Sequence, residues 1–290
     1  MQGNYELKEK RRAFTIVELL TVMAVIAILI GLLVPALNLV HDTAKDLQQK
    51  AQFHGIEVGL ELYKSGFEEY PESVDDAVGG KSYTGSNKLA EAMVGFDLMG
   101  FHPKSEFTYD GVLPGGDELY KADTIQEREE RFVDLEKANV FALGELYDTV
   151  PPHFDNGTII GSPYVLCDNF AKRRAASGKK IGMPILYFRA NTRSKIQDSA
   201  NPADTVYDLM DNYTLLDLGQ PEDGNIRHEF AEGGLVPDAQ DYTDFDWAII
   251  NDQIQTADVP YRAQSFILMS AGKDGIFGNS DDVYNFDKEK

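Results

Sequence analysis

The chain reads as an α+β protein, with one long N-terminal helix followed by a head built on a small antiparallel β-sheet and a large helical and loop insertion. Three observations predict this. Residues 14–34 form an apolar run of 21 residues, broken only by small or hydroxyl residues and by one acid, Glu18. Helical spacing of apolar residues continues past Pro35 to about residue 64. From residue 163 onward, the segments PYVLCDNF, PILYFRAN and SFILMSAG are aromatic or β-branched and flanked by turn residues, as strands are.

The apolar run comes first. As a helix it extends about 32 Å, enough to cross the hydrocarbon core of a bilayer. A carboxylate near its start is costly in lipid and needs a reason. Lys8, Lys10, Arg11 and Arg12 precede the run and favour a cytoplasmic N-terminus. A cleaved secretory signal has a shorter apolar core and a small-residue cleavage site after it. Here the small residue, Ala13, stands before the run and no A-x-A-like site follows.

The stretch Ala13, Phe14, Thr15, Ile16, Val17, Glu18, Leu19, Leu20 resembles the N-terminus of the type IV pilin and type II secretion pseudopilin family. In that family a small residue, mostly Gly, precedes F-T-[LI]-[IV]-E-[LV]-L. Ala13 is a departure that keeps the side chain small. The resemblance covers about 25 residues and implies a processing route. A prepilin peptidase of the inner membrane would cut between Ala13 and Phe14 and methylate the new amine of Phe14. Glu18 would pair with that amine, in its own subunit or in a neighbour, as helices stack into a filament. Pro35 matches the place where the family kinks or melts its helix. These implications divide the chain into a leader (1–13), a transmembrane and polymerisation helix (14–35), an amphipathic helix (36–70) and a periplasmic head (71–290).

Past Pro35, the residues Val40, Ala44, Leu47, Ala51, Val58 and Leu62 fall on one stripe, with Asp42, Lys45, Asp46, Gln49 and Lys50 opposite. This predicts one helix from about Thr15 to Lys64 whose stripe lies against the head. Gly66 is the expected stop, and Tyr70-Pro71 begins a turn. The sequence Leu60, Leu62, Tyr63, Lys64, Gly66, Tyr70, Pro71 resembles the head junction of major pseudopilins.

Residues 72–160 read as an insertion into the head. Ser86 is placed to cap a helix running to about Met99. Thr124-Ile-Gln-Glu127 is a capping-box pattern, predicting a charged helix to about Asn139 and ending before Pro151-Pro152. Between the first two strands lies KRRAASGKKIG, expected as a solvated hairpin with five basic residues in an acidic chain. Residues 191–262, rich in Asp, Asn, Gly and Pro, are expected to carry little regular structure. The sequons at Asn156 and Asn212 read as accidental.

Composition narrows the function. The net charge is −21, and the leader is itself positive, so the remainder is more acidic still. Such a body repels nucleic acid, whose binding needs Lys and Arg on phosphates. The single cysteine, Cys167, sits in the apolar run YVLC as a buried hydrophobe and permits no intrachain disulfide. None of the common catalytic or nucleotide-binding motifs is present, and the five histidines are scattered, so an enzyme is not expected.

The second chemical signal is Ser270-Ala-Gly-Lys-Asp-Gly-Ile-Phe-Gly-Asn-Ser-Asp-Asp-Val283. Asp274, Asn279, Asp281 and Asp282 bring oxygen ligands together, and Gly272, Gly275 and Gly278 let the backbone fold back. Calcium takes six to eight oxygen ligands of this kind; a hydrogen-bonded Asx turn without metal is the alternative. The stretch resembles the C-terminal calcium loop of major pseudopilins, here spanning 270–286, and by that resemblance Asp274, Asp281, Asp282 and, less closely, Asn279 are its ligands.

The function so implied is that of a structural subunit of a type II secretion pseudopilus, anchored once in the inner membrane with its head in the periplasm. Its partners would be the prepilin peptidase, identical and minor pseudopilins, and the inner-membrane assembly platform. The resulting filament would drive export of folded proteins. A type IV pilin for adhesion or motility, and a ligand-binding head on a pilin-like stalk, are the other readings. The missing cysteine pair argues against the adhesive pilin.

Overall fold

The protein is described by a computed structural model covering residues 15–75, 81–147, 163–174, 178–198, 201, 204–221, 225–234 and 236–288. The leader, Ala13, Phe14, Pro151-Pro152 and Asn156 lie outside the described residues. The chain divides into two compact units, residues 1–44 and 45–290.

The first unit is helical from Ile16 onward. It belongs to α1 (Ile16–Phe67), the one helix among the described residues long and apolar enough to cross a membrane. Its large side chains, Ile16 to Val40, are all exposed, which is the surface a lipid-embedded or polymer-embedded helix presents. The helix runs on through Pro35 without a break, although proline removes one intrahelical hydrogen bond.

In the second unit, α1 is followed by α2 (Gly85–Val94), a 3-10 turn (Ala122–Glu127), α3 (Leu135–Ala138), β1 (Val140–Ala142) and α4 (Leu143–Leu146). Next come β2 (Tyr164–Leu166), a two-residue-per-strand ribbon of β3 (Arg173–Arg174) and β4 (Lys180–Ile181), and β5 (Leu186–Arg189). The helices α5 (Met210–Leu216) and α6 (Ala239–Ile249) precede β6 (Phe266–Ser270) and β7 (Val283–Tyr284). The central sheet is antiparallel in the order β5-β6-β7, with Leu186 opposite Met269 and Ser270 opposite Val283. β1 pairs with β2, and Cys167 bridges to Pro184.

The sheet is covered on both faces. Side chains alternate between faces along a strand. Leu186, Phe188, Ile267 and Met269 pack with α5 and α6, while Tyr187, Phe266 and Leu268 pack with α1 and α2. The second half of α1 enters this core through Phe53, Ile56, Leu60 and Tyr63. Gly59 sits where α1 meets α2: a Cβ there would stand 2.8 Å from Met93 Sδ and 2.9 Å from Val133 Cγ2.

Several expectations need correction. The stripe Val40, Ala44, Leu47, Ala51, Val58, Leu62 is exposed, and the buried stripe is rotated around the helix to Gln49, Gln52, Phe53, Ile56, Leu60 and Tyr63. Aromatic bulk decides the choice: Tyr63 meets Phe67 at a tilt and Phe101 and Phe132 edge to face, and aromatic burial outweighs that of Val or Ala. Gln49, expected on the polar side, and Gln52 are instead tied in by hydrogen bonds to Asn169, Ala138 and Cys167. The helix passes Gly66, ends at Phe67, and is closed by Glu68 in the left-handed conformation (φ 69°), whose N–H reaches the Lys64 carbonyl at 2.7 Å.

Thr84, not Ser86, caps α2; Ser86 lies inside the helix and gives its N–H and hydroxyl to Asn212 Oδ1. α2 is buried throughout and packs on β2 and β5. The Thr124 pattern yields only a 3-10 turn, because Arg128 turns away to hold Asp97 and the Lys121 carbonyl. Residues 191–262 hold α5 and α6 rather than an irregular connection. Asp238 caps α6 by accepting from the N–H groups of Gln240 and Asp241, so an acid that looked like loop composition starts a helix.

Candidate functional site

Two places carry the predicted chemistry, one in each unit. At the start of α1, Thr15 and Glu18 form a reciprocal cap. The N–H and the hydroxyl of Thr15 both donate to Glu18 Oε2 at 2.8 Å, and the Glu18 N–H donates back to Thr15 Oγ1 at 3.2 Å. This is the capping box of helix N-termini, and the T-x-x-E spacing was its signal in the sequence. Glu18 therefore has local donors, and its side chain is exposed. Phe14, its expected partner, lies outside the described residues. Pro35 stands in the same helix, among exposed apolar side chains.

In the second unit, residues 270–286 leave β6 and return as β7. Gly272, Gly275 and Gly278 all take positive φ (60°, 72° and 107°), as a loop that folds back requires. At Gly272 a side chain would collide with the Asp281 carbonyl. Asp281 Oδ2 accepts the N–H groups of Lys273 (2.7 Å) and Asp274 (2.9 Å). Asp282 Oδ2 accepts the Gly278 N–H (2.8 Å) and the Tyr284 hydroxyl (3.1 Å). Asp274 is occupied by the Ile276 N–H and by Asn279 Nδ2, both at 2.8 Å, and Asn279 Oδ1 accepts the Asp281 N–H.

The second oxygens of Asp281 and Asp282 are buried and have no hydrogen-bond donor. Burial pushes both carboxyls up, Asp282 well above the usual carboxylate range. Two donorless carboxylate oxygens on adjacent residues are what an oxygen-seeking cation satisfies. Asp274 and Asn279 spend their oxygens shaping the turn, and among the described residues no three acid, histidine or cysteine side chains converge.

Elsewhere in the head, folding encloses carboxyls that no local pattern singles out. Asp168 accepts from Phe170 N–H, Met183 N–H and Ser270 hydroxyl, and burial raises it to about 7. Asp211 accepts from the Ser73 hydroxyl and is raised by burial to about 8. Glu91 accepts three hydroxyls, from Tyr83, Ser105 and Tyr120. Each is held by hydroxyl or backbone donors. His228 is buried and lowered to about 4 by that burial; its Nδ1 accepts the Phe277 N–H. Asn212 is buried in the core, out of reach of glycosylation, and Cys167 is buried and free, as expected.

Compared with known proteins, residues 8–34 match the family described as the prokaryotic N-terminal methylation motif. No curated protein and no solved structure matches the chain. The match supports a type IV pilin-like protein processed by a prepilin peptidase and anchored by one apolar N-terminal helix.

Proposed function

We propose that this chain is a structural subunit of a type II secretion pseudopilus. The observation that carries the reading is the methylation motif over residues 8–34, which contains Glu18 at the start of an exposed apolar helix. On this reading the bond between Ala13 and Phe14 is hydrolysed, the Phe14 amine is methylated, and the anchored head faces the periplasm. Subunits then leave the bilayer for a polymer of identical and minor pseudopilins, built by an inner-membrane platform. Glu18 exchanges part of its local cap for a neighbour's Phe14 amine, which removes the cost of a lone charge among apolar helices. The division into leader (1–13), polymerisation helix (14–35), amphipathic helix (36–70) and head (71–290) belongs to the same proposal. The protein performs no chemistry of its own; its work is polymerisation.

Two features of the second unit fit this reading. Leu47, Ala51, Val58 and Leu62 lie on an exposed face of α1 although their spacing is that of a packed helix seam. Asp281 and Asp282 would hold calcium, which orders the 270–286 loop and serves a head with no disulfide. The free, buried Cys167 favours the pseudopilus over a disulfide-stapled surface pilin. The deciding experiment is mass spectrometry of the membrane-extracted protein from cells that possess the peptidase. A mature N-terminus at methylated Phe14 is expected, and an intact Met1 sinks the reading.

A further inference from the structure

This inference rests on the assembly reading and concerns which surfaces of two heads meet. Some cations of the second unit are matched by a carboxylate: Lys50 by Asp287, Arg128 by Asp97, Arg262 by Glu57. The β3–β4 ribbon gathers several that are not. Arg174, Lys179 and Lys180 are exposed and make no ion pair among the described residues. Arg174 and Lys180 are direct cross-strand partners, an arrangement of like charges that destabilises an isolated ribbon. Arg174 donates to the Gly178 carbonyl at 2.9 Å, and Lys179 lies 4.8 Å over the Phe141 ring, so both are held in place without being neutralised. A concentrated positive ribbon on a chain of net charge −21 is a surface built to meet an acidic one.

The complementary surface lies on α6. Trp247, the only tryptophan, is 77% exposed. It borders a hollow of about 330 Å³ that Asp244, Asn279, Ser280 and Tyr284 also line. Lys288 is there too, donating to the Trp247 carbonyl at 2.9 Å. Glu229 packs behind Gly278, and its carboxyl is held up by burial and then by the charges of Asp244, Glu232 and Asp274. Negative charge crowds this side: Asp244 makes no ion pair among the described residues, and Lys288, which borders the same hollow, is turned to the Trp247 carbonyl. An exposed tryptophan beside it offers a ring for a guanidinium.

We propose that in the polymer the β3–β4 ribbon of one copy docks on the Trp247–Asp244 hollow of a neighbouring copy, Arg174 lying over the indole and Lys179 and Lys180 opposing Asp244 and Glu232. The two surfaces differ, so the contact is heterologous and repeats from copy to copy. Charges of this kind set register and association rate, while the apolar face of α1 supplies cohesion. The hollow includes Asn279 and Ser280 of the 270–286 loop, so ordering that loop also shapes the docking surface.

The test uses full-length protein in cells that process and assemble it. Lys179→Glu with Lys180→Glu is expected to lower recovered polymer about tenfold, and adding Asp244→Lys to the same chain to restore it. Arg174→Cys on one copy and Asp244→Cys on a co-expressed copy should give a disulfide-linked dimer only when both are present; buried Cys167 does not compete. Normal polymer from the ribbon reversal, with no dimer, overturns the docking and leaves the assembly reading standing. A wild-type chain that is cleaved but never polymerises sinks both. If instead the reversal spares polymer but abolishes binding to phosphatidylglycerol vesicles, the ribbon serves the membrane and the docking is wrong.

Discussion

The Ser270 hydroxyl donates to Asp168 Oδ2 at 2.7 Å across 102 residues of sequence, joining the turn after β2 to the first residue of the 270–286 loop. Asp168 is fully enclosed, and burial holds its carboxyl at about 7, against the lesser pull of its hydrogen bonds and of Lys172. A group whose folded value is raised contributes stability that is complete below its unfolded value and is lost as pH rises through the folded one. The head should therefore lose stability between about pH 4 and pH 7, and Asp211, at about 8, extends the loss upward. Asp168→Asn should flatten the lower part of that profile while keeping the Ser270 link. Thermal melts at pH 5, 6, 7 and 8 check it; an unchanged slope in the variant refutes the assignment.

The two sides of α1 should respond differently to substitution. Phe53 is buried against the sheet, so Phe53→Ala is expected to destabilise the head by about 3–5 kcal/mol. Leu62 is 54% exposed, so Leu62→Asp should change stability by less than about 0.5 kcal/mol yet abolish polymer. Denaturant melts read the first effect and sedimentation of sheared polymer the second. A melt shifted as far by Leu62→Asp as by Phe53→Ala contradicts the exposed-face assignment.

Glu18 should be dispensable for cleavage and necessary for assembly. Glu18→Gln keeps an acceptor for the Thr15 N–H but cannot balance an ammonium. The expected result is a correctly processed N-terminus with polymer reduced to background. Export at the wild-type level would remove the charge-pairing role.

The 270–286 loop predicts a sign as well as a loss. Asp282 has a buried oxygen without a donor and a raised carboxyl, so its charge burdens the metal-free head. Asp282→Asn should raise the melting temperature in chelator at pH 7.5, whereas the wild type should gain more on adding calcium. Asp281→Ala with Asp282→Ala should show no calcium response. A calcium-induced rise that survives in the double variant excludes the site.

How much of this was legible beforehand depends on whether a signal was local. The strands β2, β5 and β6 were readable because their residues are β-branched or aromatic and bounded by turns. The apolar run and Glu18 were readable because hydrocarbon imposes its own rules on composition. The orientation of α1 was not, since it carries two apolar stripes and only the positions of Phe101, Phe132 and the sheet decide which one is buried. α6 was missed for a related reason. Its acids read as loop, but Asp238 and Asp241 are a cap and a buried acceptor, and Phe245 and Ile249 bury the helix in the core. Asp168 and Asp211 looked like any other acids in an acidic chain until folding enclosed them.

The cap between Thr15 and Glu18 bears on how long a lone subunit can persist before it is recruited. Its acid already holds two donors from within its own chain, so a monomer idling in lipid is not forced to find company at once. If subunits assemble as proposed, recruitment would be an exchange of partners at a helix tip, and a reserve of unassembled subunits could be kept ready for the next round of growth.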